Sequence, residues 1–256
     1  MDSGFRYIYN FDENDTKILL KGFYSPNCPY TCYKESTINV MISIYKAFDT
    51  GIVNGRSVCD FSFGPIIGPL ISINDFVEEI TFLQSSDASL KELEKWMNKD
   101  SDAFDWSSAK HFYKVLKGNS DESEDVEESL RGKTKIVKWD LRNDNYDSKV
   151  DIVTCVWGLE TYSKNHDDYR GNVRKLAHLI RLKGYFMIYS VLNATQFIIG
   201  EDKFHFLSCN ESFCCKVLSE EGFDIKHCEK FDREMVTDAT DHQGVMFIIA
   251  QKMREP

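Results

Sequence analysis

Long apolar runs are missing from this sequence. No window approaches the roughly 18 uninterrupted apolar residues of a membrane span, and Met1 to Asn10 lacks the basic-then-apolar order of a secretory leader. The expectation is a cytoplasmic protein with no membrane partner. Clustered positive charge is missing too: the 31 Lys and Arg are scattered, and 41 Asp and Glu leave a formal charge of -10. A nucleic-acid backbone would find no concentrated basic surface here, so small molecules are the expected ligands. Metal-ligand patterns are equally scarce. Of eight cysteines, only Cys28 and Cys32 stand at ligand-like spacing near the front, and no second pair completes a zinc pattern. They read as buried thiols, with neither metal nor disulfides expected. Internal repeats and linkers are absent, which leaves one domain over residues 1–256, expected to be monomeric.

What is present suits a substantial core: 42% of the 256 residues are hydrophobic. Ile38, Met41, Ile42, Tyr45 and Phe48 have helical spacing over 35–48, and Asp49-Thr50-Gly51 ends that helix. Residues 57–63 form a short apolar run closed by Gly64-Pro65, and 80–83 form another; both read as buried strands. Residues 89–99 place Leu90, Leu93, Trp96 and Met97 on one face, with Ser89 and Glu92 as a capping box. The acidic stretch 120–128 reads as a solvated loop or the start of an exposed helix.

Three more β-type runs follow at 136–139, 151–156 and 185–190, with a helix over 168–182 between the last two. Alternating strands and helices predict right-handed crossovers and a parallel sheet covered on both faces, with ligands beyond the carboxyl ends of the strands. The tail departs from this order. Residues 197–207 read as a hairpin about Gly200-Glu201-Asp202, 211–221 as a helix, and 225–228 with 245–251 as an antiparallel terminal pair.

The segment Leu90-Lys91-Glu92-Leu93-Glu94-Lys95-Trp96, followed by Ala103-Phe104-Asp105-Trp106-Ser107, resembles a signature of the nicotinamide, phenylethanolamine and indolethylamine N-methyltransferase family. Phe23-Tyr24, the Asp60 to Pro65 loop, Lys138-Trp139-Asp140-Leu141, Arg181 to Gly184 and Ile199 to Phe204 look like further family segments, so the resemblance runs from about Leu19 to Lys252. It implies an α/β, Rossmann-like class I methyltransferase fold: a mostly parallel seven-stranded sheet with helices on both faces and one antiparallel C-terminal strand. Residues 1–50 would form a helical lid and 120–133 an acidic surface insertion.

The resemblance also implies S-adenosylmethionine as cofactor. Its binding residues would be Tyr24, Asp60, Ser62, Gly64, Gln84, Ser89, Asp140, Leu141 and Val156, with Asp140 accepting from the adenine amino group. A small amine or azaheterocycle would lie against Trp157, Ser190, Ala194 and Phe197. No catalytic side chain is implied, because displacement at a sulfonium methyl depends chiefly on alignment.

Several positions depart from the family pattern. Ser62 replaces a glycine, Gln84 a ribose-binding carboxylate, Leu19 a tyrosine, Gly68 an aromatic and Ser89 an asparagine. Asp87 reads as a helix N-terminus and His205 as a surface residue. Two functions follow: an N-methyltransferase of small amines, or a catalytically silent relative with a binding or regulatory role.

Overall fold

Apolar side chains occupy both faces of the central strands because helices cover both sides of the sheet. The structure, a computed structural model, describes residues 4–118, 125–143 and 146–255. Its strands are β1 (Ser57–Asp60), β2 (Glu79–Gln84), β3 (Thr134–Lys138), β4 (Val150–Val156), β5 (Ile180–Leu192), β6 (Gln196–Ile199), β7 (Asp202–His205), β8 (Phe223–Asp232) and β9 (Gly244–Lys252). The seven-stranded sheet has the order β3-β2-β1-β4-β5-β9-β8. β1 to β5 pair in parallel, and β9 is antiparallel to both β5 and β8. The expected fold class is therefore observed, with β8 as the outer edge. β6 and β7 form a separate hairpin that turns at Gly200, where φ is 62°.

The helices are α1 (Glu13–Phe23), α2 (Asn39–Asp49), α3 (Gly68–Ile71), α4 (Asp87–Asn98), α5 (Ser107–Leu116), α6 (Val126–Gly132), α7 (Gly158–Tyr162), α8 (His166–Leu179) and α9 (Glu211–Glu220). α1 begins with a reciprocal capping box, in which the Asp12 side chain accepts from Asp15 N–H and Asp15 accepts from Asp12 N–H. A π-helical turn, Lys34–Ile38, leads into α2, where the spacing had predicted one regular helix. Upstream of α1, Arg6 extends the hairpin: its N–H donates to the Lys203 carbonyl and its carbonyl accepts from His205 N–H, both at 2.9 Å.

Other boundaries also differ from the sequence reading. Ser86 rather than Ser89 caps α4, accepting from Ser89 N–H, which moves Asp87 into the first turn as expected. α8 stops at Leu179 because Ile180 is already extended and pairs with Val150 as the first residue of β5. The acidic stretch is only partly described, since 119–124 lie outside the described residues. Asp125 caps α6, and Glu127 is buried rather than solvated, accepting from Trp96 Nε1 at 2.8 Å and Arg131 at 2.7 Å.

Candidate functional site

The carboxyl ends of β1, β4 and β5 converge beneath α1 and the hairpin. At the end of β1, Asp60 is buried and its Oδ1 accepts from Thr154 Oγ1 at 2.6 Å and Ser62 Oγ at 2.8 Å. Burial pushes its carboxyl up to about 6, against the opposing pull of the Thr154 and Ser62 hydrogen bonds. Ser62 Oγ also accepts from Val156 N–H at 3.0 Å. That side chain therefore bridges β1 and β4 instead of projecting into open space.

The loop beyond Ser62 is held from two sides. Gln84, at the end of β2, donates its amide to the carbonyls of Gly64 at 3.0 Å and Ser62 at 3.4 Å, and its own oxygen is buried without a partner among the described residues. Gly64 has φ 76°, and a Cβ placed on it would lie 2.8 Å from Leu19 Cδ2. The close approach that this glycine permits is thus made by Leu19 of α1. Gly68 plays a similar part, with the Trp106 ring 3.3 Å from where its Cβ would be.

Rings pack around the loop. Phe61 meets Trp139 at 5.6 Å and Tyr162 at 4.9 Å between centroids. Phe63 meets Phe11 at 5.8 Å and Phe197 at 5.1 Å. Val156, Leu141 and Ser89 are buried. Asp140 accepts from Arg142 Nε at 3.0 Å and Nη2 at 2.9 Å and from Asn143 Nδ2 at 2.8 Å. Arg142 holds its carboxyl below the usual carboxylate range. The same guanidinium lies 4.3 Å from the centroid of Tyr9, which stacks on Tyr7.

Next to this filled crevice is a cavity with about 40 Å³ for the centres of water-sized molecules, lined by Tyr24, Phe63, Trp157, Phe197, Phe206, Glu35, Thr240 and His242 among others. Tyr24, expected on the cofactor side, meets Trp157 and Phe197, both expected on the acceptor side, here. Trp157 sits in a left-handed conformation, φ 57°, between β4 and α7. Ser190 is placed elsewhere: it is buried and donates to Glu160 at 2.9 Å, and neither it nor the buried Ala194 lines the cavity. Burial pushes the Glu160 carboxyl up to about 7. His205 is half-buried rather than superficial, with Nε2 3.2 Å from the Ser163 carbonyl oxygen.

Sequence reasoning missed Glu35, Thr240, His242 and Phe63. Glu35 stands three residues before Ile38 and so continues the apolar stripe of the α2 segment; a carboxylate in that stripe was the available signal. Nothing local marked Thr240 or His242. Among the described residues no cluster of three or more His, Cys, Asp or Glu could hold a metal, and Cys28 and Cys32 are free thiols with Sγ atoms 3.9 Å apart. No helix among the described residues is long and apolar enough to cross a membrane.

The model of the NNMT/PNMT/TEMT family matches residues 5–253. The chain belongs to that family. It is 26% identical to human nicotinamide N-methyltransferase, with both chains covered in full. It is 26% identical to rabbit (Oryctolagus cuniculus) indolethylamine N-methyltransferase over 82% of each chain. Among solved structures, the N-methyltransferase NodS from Bradyrhizobium japonicum, in complex with S-adenosylhomocysteine, superposes with a TM-score of 0.57 at 7% identity, covering 95% of this chain and all of that one. The [4+2]-cyclase SpnF also gives 0.57, at 13% identity, covering 94% and 93%. These likenesses show the class I methyltransferase fold, and the second shows that the fold alone does not fix a reaction.

Several residues that would meet S-adenosylmethionine, the cofactor of this family, are engaged with one another in this structure. Leu19 occupies the approach to Gly64, and the Gln84 amide closes on the loop. Asp140 is engaged by Arg142, and Phe61, Trp139 and Tyr162 pack into one another.

Proposed function

We propose that this chain acts on a small amine or azaheterocycle as an S-adenosylmethionine-dependent N-methyltransferase, with donor entry conditional on opening the crevice. The observation that carries the reading is the aromatic-lined cavity at the carboxyl ends of β4 and β5, where sheets of this type take their ligands, in a chain matched by its family from 5 to 253. Residues 1–50 serve as the lid in this proposal: displacing α1 takes Leu19 away from Gly64. Tyr24, Trp157 and Phe197 form the walls that hold a flat acceptor.

The packed crevice favours a second reading, a family member that keeps the acceptor cavity and binds small ligands without turnover. Melting the protein in increasing S-adenosylmethionine or S-adenosylhomocysteine separates the two. Ligand at about a hundred times its Kd adds about 2.7 kcal/mol of stability, so the first reading expects a concentration-dependent rise in Tm. No rise at millimolar concentrations of either compound overturns it and leaves the second.

A further inference from the structure

The chain between α1 and the π-helical turn, residues 24–32, carries two thiols that neither crevice nor cavity requires. It runs in turns and bends outside any helix or strand, with Cys28 at its middle and Cys32 at its end. Their Sγ atoms lie 3.9 Å apart, and a disulfide needs roughly 2.0 Å. Closing that gap takes a movement of about 2 Å, within reach of side-chain rotation and a small shift of an irregular loop.

What holds each sulfur decides which one moves. Cys32 donates to the carbonyls of Gly22 at 3.6 Å and Phe23 at 3.7 Å, the last two residues of α1. Just downstream, Ser36 Oγ donates to the same Phe23 carbonyl. Glu35 accepts from Met235 N–H at 2.8 Å and its Oε2 lies 3.0 Å from His242 Nε2. Cys32 is therefore anchored on both sides. Cys28 is held by local turns, its N–H donating to the Ser25 carbonyl at 3.0 Å and its carbonyl accepting from Thr31 N–H at 3.3 Å. Pro29 fixes φ at the next residue, so the backbone itself keeps the sulfurs close.

Exposure sorts their roles. The two cysteines pack with Met235 and Ala239 in a small cluster apart from the main core. Cys28 is 8% exposed and Cys32 1%, so an oxidant arriving from solvent meets Cys28 first. Burial holds the Cys32 thiol well above the usual thiol range, and it keeps its hydrogen until a neighbouring sulfur is activated.

We propose that Cys28 and Cys32 form a reversible modification site for hydroperoxides, oxidised to a disulfide that loosens the end of α1. The Cys28 sulfur attacks one peroxide oxygen, the O–O bond breaks, and the departing oxygen takes up the thiol hydrogen and leaves as water. The Cys32 sulfur then attacks the Cys28 sulfenic acid, the S–O bond breaks, and a second water carries away the Cys32 hydrogen. Two thiols and one hydrogen peroxide become one disulfide and two waters. Cys32 thereby loses the hydrogen it directs at α1: Phe23 keeps Ser36 as a donor, and the Gly22 contact ends. The loop is packed on that last turn, since a Cβ placed on Gly22 would lie 2.6 Å from the Tyr30 ring. Rearrangement of the loop is thus felt by the helix that carries Leu19. None of this depends on methyl transfer or on a ligand in the cavity.

The test treats the reduced protein with one equivalent of hydrogen peroxide and counts thiols after denaturation. Two of the eight cysteines are consumed, the tryptic peptide 22–34 that contains both loses two hydrogens in mass, and dithiothreitol restores them. Tyr24 N–H donates to the Leu20 carbonyl at 3.0 Å. Its amide exchange quickens by about twofold to tenfold in the oxidised protein, the worth of one modest hydrogen bond, while β4 and β5 do not change. Cys32→Ser keeps a donor for both carbonyls and cannot form the bridge, so its Tyr24 exchange is the same with and without peroxide. A disulfide mapped to other cysteines, a Cys28 sulfinic acid without a bridge, eight intact thiols after peroxide, or equal Tyr24 exchange in both states of the unaltered protein overturns the proposal. Should Cys32→Ser fail to fold, peptide mapping and exchange of the unaltered protein decide alone.

Discussion

Gln84 shows how one side chain changes a site from open to closed. A carboxylate at the end of β2 could only accept, and the neighbouring carbonyls of Ser62 and Gly64 would repel it, leaving it turned toward a ligand. The amide instead donates to both carbonyls and draws the loop onto the strand. Its unpartnered oxygen is the residual cost. Replacing Gln84→Asp together with Ser62→Gly removes those donors and the Ser62 bridge between Asp60 and Val156. The ligand-free protein should lose roughly 1–3 kcal/mol per lost buried pairing in urea unfolding. S-adenosylmethionine should at the same time gain about tenfold to a hundredfold in affinity by equilibrium dialysis. A destabilised double variant with unchanged affinity would show that these two positions do not contact the donor.

At the scale of elements, α1 has the deciding part. Its capping box fixes the N-terminus, and its buried face presents Leu19 to Gly64. Asp12→Ala deletes the side chain that accepts from Asp15 N–H, a change worth about 0.5–2 kcal/mol. Amide exchange in α1 should accelerate while that in β4 and β5 does not, and donor binding, if it requires α1 to lift, should tighten rather than weaken. Uniform acceleration across the sheet would mean that α1 is not an independently opening element.

Elements with a strong period were legible in the sequence. The strands from 57 onward, α2, α4, α8 and α9 follow from apolar spacing, and the antiparallel strand from the absence of a helix between the last two strands. α3 and α7 were not legible, because helices of four and five residues carry too few turns to show a period; α1 and α5 were long enough but were not read as helices. Tyr24, Trp157 and Phe197 were expected at the site and meet in one cavity. The filling of the crevice was not foreseeable, since whether Phe61 faces a ligand or packs on Trp139 depends on packing between segments far apart in sequence.

For the molecule as a whole, acid strengthens rather than weakens one buried contribution. The Glu160 carboxyl, fully buried, titrates at about 7 in the folded chain against an ordinary value of 4.5. Between those values the folded state binds the proton that the unfolded state releases, so stability falls as pH rises through the window and levels off above it. The difference corresponds to roughly 3 kcal/mol. Asp60 acts with the same sign up to about 6. Glu160→Gln keeps an oxygen for Ser190 and Val191 N–H and removes the titration. Urea midpoints at about pH 5 and about pH 8 should then differ less in the variant than in the unaltered protein, Asp60 keeping its smaller share, and an identical pH slope in both would refute the assignment.

The Glu35–His242 contact joins positions 207 residues apart. During synthesis on the ribosome the carboxylate emerges early and waits, buried in nothing, until nearly the last strand is made. A ligand of that cavity cannot guide the nascent polypeptide. It can only reward a completed one, so its occupancy in cells would report the finished molecule and none of its precursors.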